Sequence, residues 1–348
     1  MRIGITSGDI NGVGPEVILK SLSGNGALQR HTIVIYGSGK VMAYHKNIIK
    51  DIDIQFSNVS TASQAGNGKV SVVNCWNEDI QIKLGKATPE AGQFAHVALD
   101  RAVNDFKDGH IDVLVTAPIN KSTMDPMSFP YAGHTEYLEH SLGAMSSLMT
   151  MVSDDLRIAL TTNHEPITKV PELLTKETVM RKINLFYHSL KKDFGIEKPT
   201  IAVLGLNPHA GDEGKIGTEE QELIQPIINE LKEKGVLLFG PYSADGFFGS
   251  GNFSKFDGIL AMYHDQGLIP FKTMSFGKGV NYTAGMDYVR TSPDHGTGYD
   301  IAGQNIADPR SMRNAIYAAI DIFNNRKMED ELKENRLVPK PRKERYEK

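Results

Sequence analysis

The sequence of 348 residues contains a single cysteine, Cys75. A lone cysteine excludes an intramolecular disulfide and a cysteine-rich zinc site, and it is typical of a protein from a reducing compartment. No apolar run approaches the ~18 residues that a membrane helix needs, and a formal net charge of −4 provides no basic field for nucleic acid. The first residues are strand-like and carry no secretion signal. We therefore expect a cytoplasmic protein with no membrane or nucleic-acid partner.

Two common phosphate-binding motifs are incomplete. Gly12-Val13-Gly14 lies between a predicted strand and a predicted helix, but Val17 stands where a dinucleotide fingerprint has its third glycine. Gly37-Ser38-Gly39-Lys40 resembles the end of a phosphate loop, but Val34 and Val41 replace two of its defining residues. We interpret the first segment as a turn that joins a strand to a helix, and we reject the second as a nucleotide site.

Apolar runs of strand length alternate with helical patterns along the chain. Near the amino terminus, strands are predicted at 3–6 and 31–36 and a helix at 16–22. Later strands are predicted at 111–115, 157–160, 200–206 and 256–262, and helices at 89–107, 172–194 and 218–234. This alternation indicates an α/β fold with a largely parallel sheet. The charged tail, 333–348, is expected to be solvated and partly disordered.

Three of the eleven histidines, His164, His209 and His264, come directly after apolar runs, and each is followed by a predicted turn. Ligands of open α/β sheets bind beyond the carboxyl ends of the strands. If these strands share a sheet, or if two copies of the chain meet, three neutral imidazoles could form an open site for Zn²⁺ or a similar metal. Their spacing matches no local metal motif. On the pattern alone, three separate histidines bonded to backbone are favoured.

Other polar residues indicate an anionic ligand. His134 lies where a turn meets a predicted helix, and Thr135 is expected to cap that helix and leave amides free for an anion. Lys272, Asn281 and Arg290 follow the last histidine-bearing strand, and an arginine offers a bidentate fork to phosphate or carboxylate. On the sequence pattern alone, Lys272 and Arg290 are equally consistent with ordinary surface charges.

Several segments, in order, are similar to those of one family. The matching stretches are Gly8-Asp9 with Gly12-Val13-Gly14-Pro15-Glu16, Thr116-Ala117-Pro118-Ile119-Asn120-Lys121, Gly133-His134-Thr135-Glu136, Leu206-Asn207-Pro208-His209-Ala210-Gly211, Gly240-Pro241-Tyr242-Ser243-Ala244-Asp245, Tyr263-His264-Asp265-Gln266-Gly267 and Arg290-Thr291-Ser292-Pro293-Asp294-His295-Gly296-Thr297. From about residue 4 to 320, the chain resembles the 4-hydroxythreonine-4-phosphate dehydrogenases of pyridoxine biosynthesis, the PdxA family. It departs from many members at Ile10-Asn11, where they have Pro-Ala, and in the glycine-rich segment 245–251.

The resemblance implies a two-lobed α/β fold like that of isocitrate and isopropylmalate dehydrogenases, with a central cleft, in a homodimer. One lobe would comprise 1–128 plus 280–348 and carry the cofactor loop. The other, 129–279, would carry the metal ligands and dimer contacts. The resemblance also implies that His164, His209 and His264, drawn from both subunits, bind one divalent metal ion, Zn²⁺ or alternatively Mg²⁺ or Co²⁺.

The same resemblance implies roles for the remaining candidates. The residues expected to contact a phosphorylated hydroxy-acid substrate are His134, Thr135, Lys272, Asn281 and Arg290. The residues expected to hold NAD are Asp294, His295, Gly296, Thr297, Asp300 and Ala302. We expect NAD rather than NADP, because the loop has no arginine partner for a 2′-phosphate apart from Arg290.

The implied reaction is NAD-dependent oxidation and decarboxylation of 4-phosphohydroxy-L-threonine, in which the metal lowers the pKa of the substrate hydroxyl and NAD accepts hydride. Asp245, Asp265 and Lys121 are the candidate bases, with Asp245 ranked first, and Lys272 neutralises charge. A paralogue that oxidises D-threonate or D-erythronate 4-phosphate is the main alternative. Two further alternatives are a metal-dependent hydrolase or lyase that does not use NAD, and a non-catalytic protein that binds a phosphorylated metabolite.

Overall fold

The fold is built around one large mixed sheet. The computed structural model describes residues 1–50, 52–125, 127, 129–131, 133–143 and 146–336. In chain order the strands are β1 (Arg2–Thr6), β2 (Thr32–Gly37), β3 (Ser57–Val59), β4 (Val70–Asn74), β5 (Val113–Thr116), β6 (Leu148–Ser153), β7 (Leu156–Leu160), β8 (Thr200–Leu204), β9 (Leu237–Tyr242), β10 (Gly258–Ala261), β11 (Val280–Ala284) and β12 (Arg290–Pro293). The helices are α1 (Gly14–Leu22), α2 (Gly39–Ile48), α3 (Pro89–Lys107), α4 (His134–Leu142), α5 (Val170–Leu173), α6 (Lys176–Lys192), α7 (Gln225–Glu233), α8 (Ala244–Gly249), α9 (His264–Met274) and α10 (Arg310–Glu334).

Across the described residues the strand order is β3-β4-β2-β1-β5-β12-β11-β6-β7-β10-β8-β9. Both outer parts of the sheet are parallel, whereas β11 runs antiparallel to both β12 and β6, and β6 antiparallel to β7. The expected α/β fold with a largely parallel sheet is confirmed. The sheet is continuous through β12 and β11, so the proposed lobe boundaries at 128/129 and 279/280 stay a prediction.

Strand β2 illustrates why the apolar runs are continuous rather than alternating. Ile33 and Ile35 belong to the apolar core on one face of the sheet, and Val34 and Tyr36 belong to the core on the opposite face. A parallel strand with helices on both faces buries every side chain, so its sequence reads as an unbroken apolar run. No helix in the described ranges combines the length and apolarity needed to cross a bilayer.

Helix α3 has the predicted bounds, 89–107. The Thr88 hydroxyl accepts a hydrogen bond from the amide of Ala91 at 3.2 Å, and Pro89 occupies the first helical position, where no amide donor is needed. Its buried face, which includes Ala98 and Ala102, packs on β1 and β2.

Other predicted boundaries are wrong for local reasons. The helix predicted at 172–194 is divided into α5 and α6, because the Thr175 side chain caps α6 by accepting from the amide of Thr178. The helix predicted at 218–234 begins with a π-helical turn, Glu220–Ile224, before α7. The turn predicted after His264 is the first turn of α9. Helix α10 extends through Glu334 into the predicted tail, and the rest of that tail, 337–348, lies outside the described residues.

Candidate functional site

The three candidate metal ligands follow three adjacent parallel strands. Strand β10 lies between β7 and β8 and is parallel to both. His164, His264 and His209 come after the carboxyl ends of β7, β10 and β8. The condition set by the sequence, that these strands share a sheet, is therefore met. The three side chains belong to one edge of the sheet, where ligands of α/β proteins bind.

Two of these histidines face one cavity. The ring centroids of His164 and His264 are 5.6 Å apart, and both side chains line a cavity of about 360 Å³ together with Tyr263 and Asp265. The Nδ1 atom of His264 lies 2.7 Å from the Oδ1 atom of Asp265. A carboxylate at Nδ1 fixes the ring and its tautomer and leaves Nε2 to bind a metal.

His209 lies on a left-handed turn. All five residues from 209 to 213 have positive φ, between +43° and +83°, and only Gly211 among them is a glycine. The left-handed conformation costs a residue with a side chain about 1–2 kcal/mol. Backbone held in this way occurs preferentially at functional sites, where the surroundings must compensate.

Asp245, the first-ranked base, lies at the start of α8 near His209. The Ser243 hydroxyl donates to its carboxylate at 2.5 Å and is the main reason that the pKa of Asp245 lies below its ordinary value, with a smaller effect from the charge of His209. The other carboxylate candidate, Asp265, is the neighbour of His264, and Lys121 is an exposed residue at the start of a 3₁₀ turn, Lys121–Thr123. The structure thus places the two carboxylates beside different histidines.

Within the described part of one chain, no three His, Cys, Asp or Glu side chains come close enough together to hold a metal ion. Nevertheless, the donor chemistry is appropriate, since two imidazoles share a cavity and the third lies on the next strand end. Imidazole nitrogens suit Zn²⁺ and related transition metals. The residues fit a divalent metal whose ligand set is incomplete in one chain.

A second site lies at the centre of the sheet, around Arg290. This side chain is 2% exposed. Its Nε and Nη2 atoms donate to the Thr116 hydroxyl at 3.1 and 2.6 Å, and its Nη1 atom donates to the Thr283 hydroxyl at 3.2 Å. None of the arginine ion pairs in the described part of the chain includes Arg290. Burial lowers its pKa to about 10, so the guanidinium is charged at neutral pH. The charge of Glu136 raises this pKa by a smaller amount, but it forms no direct ion pair with Arg290 among the described residues. A buried cation without a direct ion pair is costly, and it indicates an anionic ligand.

His134 is close to this cation. Its pKa lies well below the ordinary value, first because of burial and second because of the charge of Arg290, so the ring is neutral. Its Nε2 atom is buried without a hydrogen-bond partner among the described residues. Thr135 does not cap α4, contrary to our expectation. Gly133 precedes the helix, no side chain caps it, and Thr135 is its second residue.

The two other expected substrate contacts lie on neighbouring elements. Asn281 is on β11, the strand that pairs with β12, and its Oδ1 atom is buried with no partner in the described ranges. Lys272 is on α9, and its Nζ atom donates to the main-chain oxygen of Asp294 at 3.2 Å. The structure therefore places Lys272 against the expected cofactor loop.

The expected cofactor loop, residues 294–302, borders a cavity of about 370 Å³. The cavity is lined by residues of this loop and by apolar residues of α1 and the segment after α9, among them Val17, Phe276, Asp294, His295, Gly296 and Ile301. Lys272, which lines this cavity, and His264, at the histidine edge, both belong to α9, so this helix connects the two regions. Of the other expected cofactor residues, Thr297 and Ala302 are half-buried and Asp300 is exposed.

The amino-terminal glycine segment holds this loop, which the sequence did not reveal. The amide of Val13 donates to the Thr297 oxygen at 2.8 Å, and a Cβ atom on Gly12 would lie 2.6 Å from the same oxygen. Only glycine allows so close an approach. The segment joins β1 to α1, as expected, and Gly12 has the additional role of accommodating Thr297.

Asp9 and Asn11 extend this support. The Tyr299 hydroxyl donates to Asp9 at 2.6 Å, and burial raises the pKa of Asp9 above its ordinary value. The Asn11 amide donates to Lys86 O at 3.0 Å and to the Thr88 hydroxyl at 3.1 Å, and its Oδ1 atom accepts from the Lys83 amide at 2.8 Å. In the sequence, Asn11 differs from many members of the family, and this difference is the only sequence feature that marks its role in supporting the segment 83–88.

Comparison with solved structures first defines the class of fold. Isocitrate dehydrogenase from Methylococcus capsulatus superposes with a TM-score of 0.50 at 14% identity, covering 96% of this chain and 88% of that one. A likeness at this identity concerns the fold alone. It confirms the expected isocitrate dehydrogenase-like class of α/β fold.

The family follows from closer relatives. The family model described as "Pyridoxal phosphate biosynthetic protein PdxA" matches residues 29–319. A 4-hydroxythreonine-4-phosphate dehydrogenase from Bacteroides thetaiotaomicron is 53% identical, with 100% of this chain and 94% of the relative covered. The crystal structure of the Klebsiella pneumoniae 4-hydroxythreonine-4-phosphate dehydrogenase superposes with a TM-score of 0.79 at 31% identity, covering 92% and 98%. The chain belongs to the PdxA family.

Proposed function

We propose that this chain catalyses the NAD-dependent oxidation and decarboxylation of 4-phosphohydroxy-L-threonine to 3-amino-2-oxopropyl phosphate, a reaction of pyridoxal phosphate biosynthesis. Family membership and the name of the 53%-identical relative support this proposal. The structural observation that carries it is the buried Arg290, which has no carboxylate partner in the described ion pairs and lies near a neutral His134. A cytoplasmic location stays a prediction from the sequence.

The substrate's anionic groups would bind at Arg290 and the start of α4. The guanidinium is held in place by two threonine hydroxyls, so little side-chain freedom is lost when an anion arrives. Neutral His134 offers a ring nitrogen as a donor or acceptor, while Thr135 and Asn281 provide further polar contacts. Lys272, exposed on α9, would contribute its charge from the side of the cofactor loop.

One divalent metal ion would be held by His164, His209 and His264, and when bound it supplies Lewis acidity for the substrate hydroxyl. Asp265 would orient the His264 ring through Nδ1. Because the described part of one chain has no complete ligand set, we assign the full set to a homodimer that shares the site. In this proposal the part 129–279 carries the metal ligands and dimer contacts.

The loop 294–302 would hold NAD, which supplies the hydride acceptor, in the part formed by 1–128 plus 280–348. The assigned residues are Asp294, His295, Gly296, Thr297, Asp300 and Ala302. Asp245 is the proposed base. The Ser243 hydroxyl is the main reason that its pKa lies below the ordinary value, and the carboxylate would accept the proton released when the substrate alcohol is oxidised.

The decisive experiment is to measure NADH formation and CO₂ release with 4-phosphohydroxy-L-threonine, D-threonate 4-phosphate and D-erythronate 4-phosphate, with and without a chelator. We expect the highest kcat/KM with 4-phosphohydroxy-L-threonine and no turnover after chelation. A preference for either of the other acids would assign the chain to the paralogous activity. Substrate consumption without NAD reduction would indicate a hydrolase or lyase, and binding without any turnover would indicate a binding protein.

A further inference from the structure

The left-handed turn that carries His209 requires support from outside the turn. Four residues with side chains adopt positive φ between 209 and 213, and each is less stable by about 1–2 kcal/mol than in an ordinary conformation. Hydrogen bonds within the turn, such as that from the Ala210 amide to Asn207 O at 3.1 Å, exist but do not remove this cost. Contacts with neighbouring elements must therefore keep the turn in place.

The buried carboxylate of Glu220 provides such a contact. It is 2% exposed and begins the π-helical turn Glu220–Ile224. Its Oε1 atom accepts from the main-chain amide of Asn207 at 2.8 Å, and its Oε2 atom accepts from the Asn207 side-chain amide at 3.0 Å. The residue two positions before His209 is thus held through both its backbone and its side chain.

The carboxyl group of Glu220 is paired with amides rather than with a cation. None of the glutamate ion pairs in the ranges that the structure describes includes Glu220. A carboxylate buried in this way needs its hydrogen bonds, because burial without them is strongly unfavourable. Because the Glu220 carboxylate needs the Asn207 amides as donors and these amides need it as an acceptor, the geometry around Asn207 is well defined.

Two glycines allow the carboxylate to lie against the turn. A Cβ atom on Gly211 would be 2.6 Å from Glu220 Oε2, and one on Gly205 would be 3.0 Å from Glu220 Oε1 and 3.0 Å from Ala210 Cα. Gly205 also connects this region to the next strand end, since its carbonyl accepts from the side chain of Gln266 at 2.6 Å. The turn is consequently packed between Glu220 and the elements around it.

We propose that Glu220 is a positioning residue for His209: it holds the left-handed turn through Asn207, so that the imidazole is presented to the divalent metal. This proposal rests on the proposed role of His209 as a metal ligand. Glu220 itself touches neither substrate nor metal.

The test compares Glu220→Gln with Glu222→Gln, a matched control on an exposed side chain of the same helical turn. In Glu220→Gln an amide group faces the donors of Asn207, so the pair loses an acceptor. Zn²⁺ binding to the metal-free dimer is measured by calorimetry. We expect Glu220→Gln to weaken it by roughly 10- to 100-fold, the usual effect of removing a group that orients a ligand, and Glu222→Gln to leave it unchanged.

Hydrogen–deuterium exchange on the metal-free chain separates this proposal from the proposed function. Glu220→Gln should accelerate exchange at 207–216, while 162–168 and 263–266 keep their rates and the dissociation constant for NADH stays unchanged. If the wild-type chain bound no Zn²⁺, the metal assignment would fail while exchange still decided whether Glu220 holds the turn. Unchanged exchange and unchanged Zn²⁺ affinity would overturn the proposal.

Asn207→Ala serves if Glu220→Gln does not fold. It removes the side-chain amide that donates to Glu219 at 2.7 Å and to Glu220 at 3.0 Å, but it keeps the main-chain donor. A loss of Zn²⁺ affinity of several-fold, with faster exchange confined to the same segment, is expected. Wild-type affinity and exchange in this variant would also contradict the proposal.

Discussion

The cofactor loop and the histidine edge differ in how completely one chain builds them. The loop is fixed by a hydrogen bond that it accepts from the Val13 amide at 2.8 Å and by two that it donates, to the Asp9 carboxylate at 2.6 Å and to the Ser311 hydroxyl at 3.1 Å. At the histidine edge, the side chains of His164 and His264 are 60% and 34% exposed, and no complete ligand set exists within the described residues of one chain. Within the described residues, one chain holds the loop in place, whereas the three histidines of one chain do not form a complete ligand set. Under the proposed function, the metal site would therefore require a second copy of the chain.

The proposed anion site resembles the proposed cofactor loop, because one chain builds both. Arg290 is buried in the centre of the sheet and is held by Thr116 and Thr283. A preformed, charged and desolvated pocket binds an anion more strongly than a flexible surface cation does, because the ordering cost is met during folding. The comparison predicts that damage at the metal edge leaves cofactor binding intact, and that the reverse also holds.

The largest expected effect is that of His209→Ala. It should abolish Zn²⁺ binding in the dimer and reduce turnover to background, because an imidazole ligand cannot be replaced by a methyl group. NADH binding, measured by fluorescence, should be unchanged. His188→Ala, which changes an exposed histidine on α6, is the control. Turnover by His209→Ala after chelation would contradict the metal assignment.

Arg290→Met is expected to lower kcat/KM for the phosphorylated substrate by about 100-fold or more, since losing one partner of a buried charge pair costs about 2–5 kcal/mol. The free chain should be at least as stable as the wild type in urea, because the desolvation cost of a buried charge has been removed. Arg157→Met, which changes another largely buried arginine, on β7, is the control. A kcat/KM within threefold of the wild type would remove Arg290 from the substrate site.

Asn11→Ala should have the opposite effect to His209→Ala: it should weaken the proposed cofactor loop and leave the histidine edge unchanged. The Asn11 side chain holds the segment 83–88 by two hydrogen bonds that it donates and one that it accepts. This segment packs against the loop 294–302, since a Cβ atom on Gly85 would lie 2.8 Å from the Tyr299 oxygen. Each bond contributes about 0.5–1.5 kcal/mol to stability, so we expect lower thermal stability and an NADH dissociation constant raised several-fold. Zn²⁺ affinity should not change. The exposed Asn67→Ala is the control, and equal effects on both ligands would contradict the proposed separation.

The sequence predicted the sheet because buried parallel strands leave an unbroken apolar record, as β2 shows. It also predicted that the three histidines follow strand ends, since position along a strand is local information. It could not reveal that Gly12 faces Thr297, or that Glu220 holds Asn207. Those contacts join residues on separate elements, and nothing in the local pattern distinguishes such a glycine or glutamate from an ordinary one.

The smallest expected effect is a pH dependence of stability at Asp9, in the preformed region. Burial raises the pKa of Asp9 above its ordinary value of 3.8, so the folded state holds a proton that the unfolded chain releases. As pH rises through 3.8 the unfolded chain ionises first, and the free energy of unfolding falls until the folded carboxyl ionises too. In Asp9→Asn this loss is absent, so the stability of the variant relative to wild type should increase from pH 4 to 7. Urea unfolding across that range measures the difference. Parallel curves for the two proteins would show that burial does not destabilise the ionised Asp9 carboxylate in the folded chain.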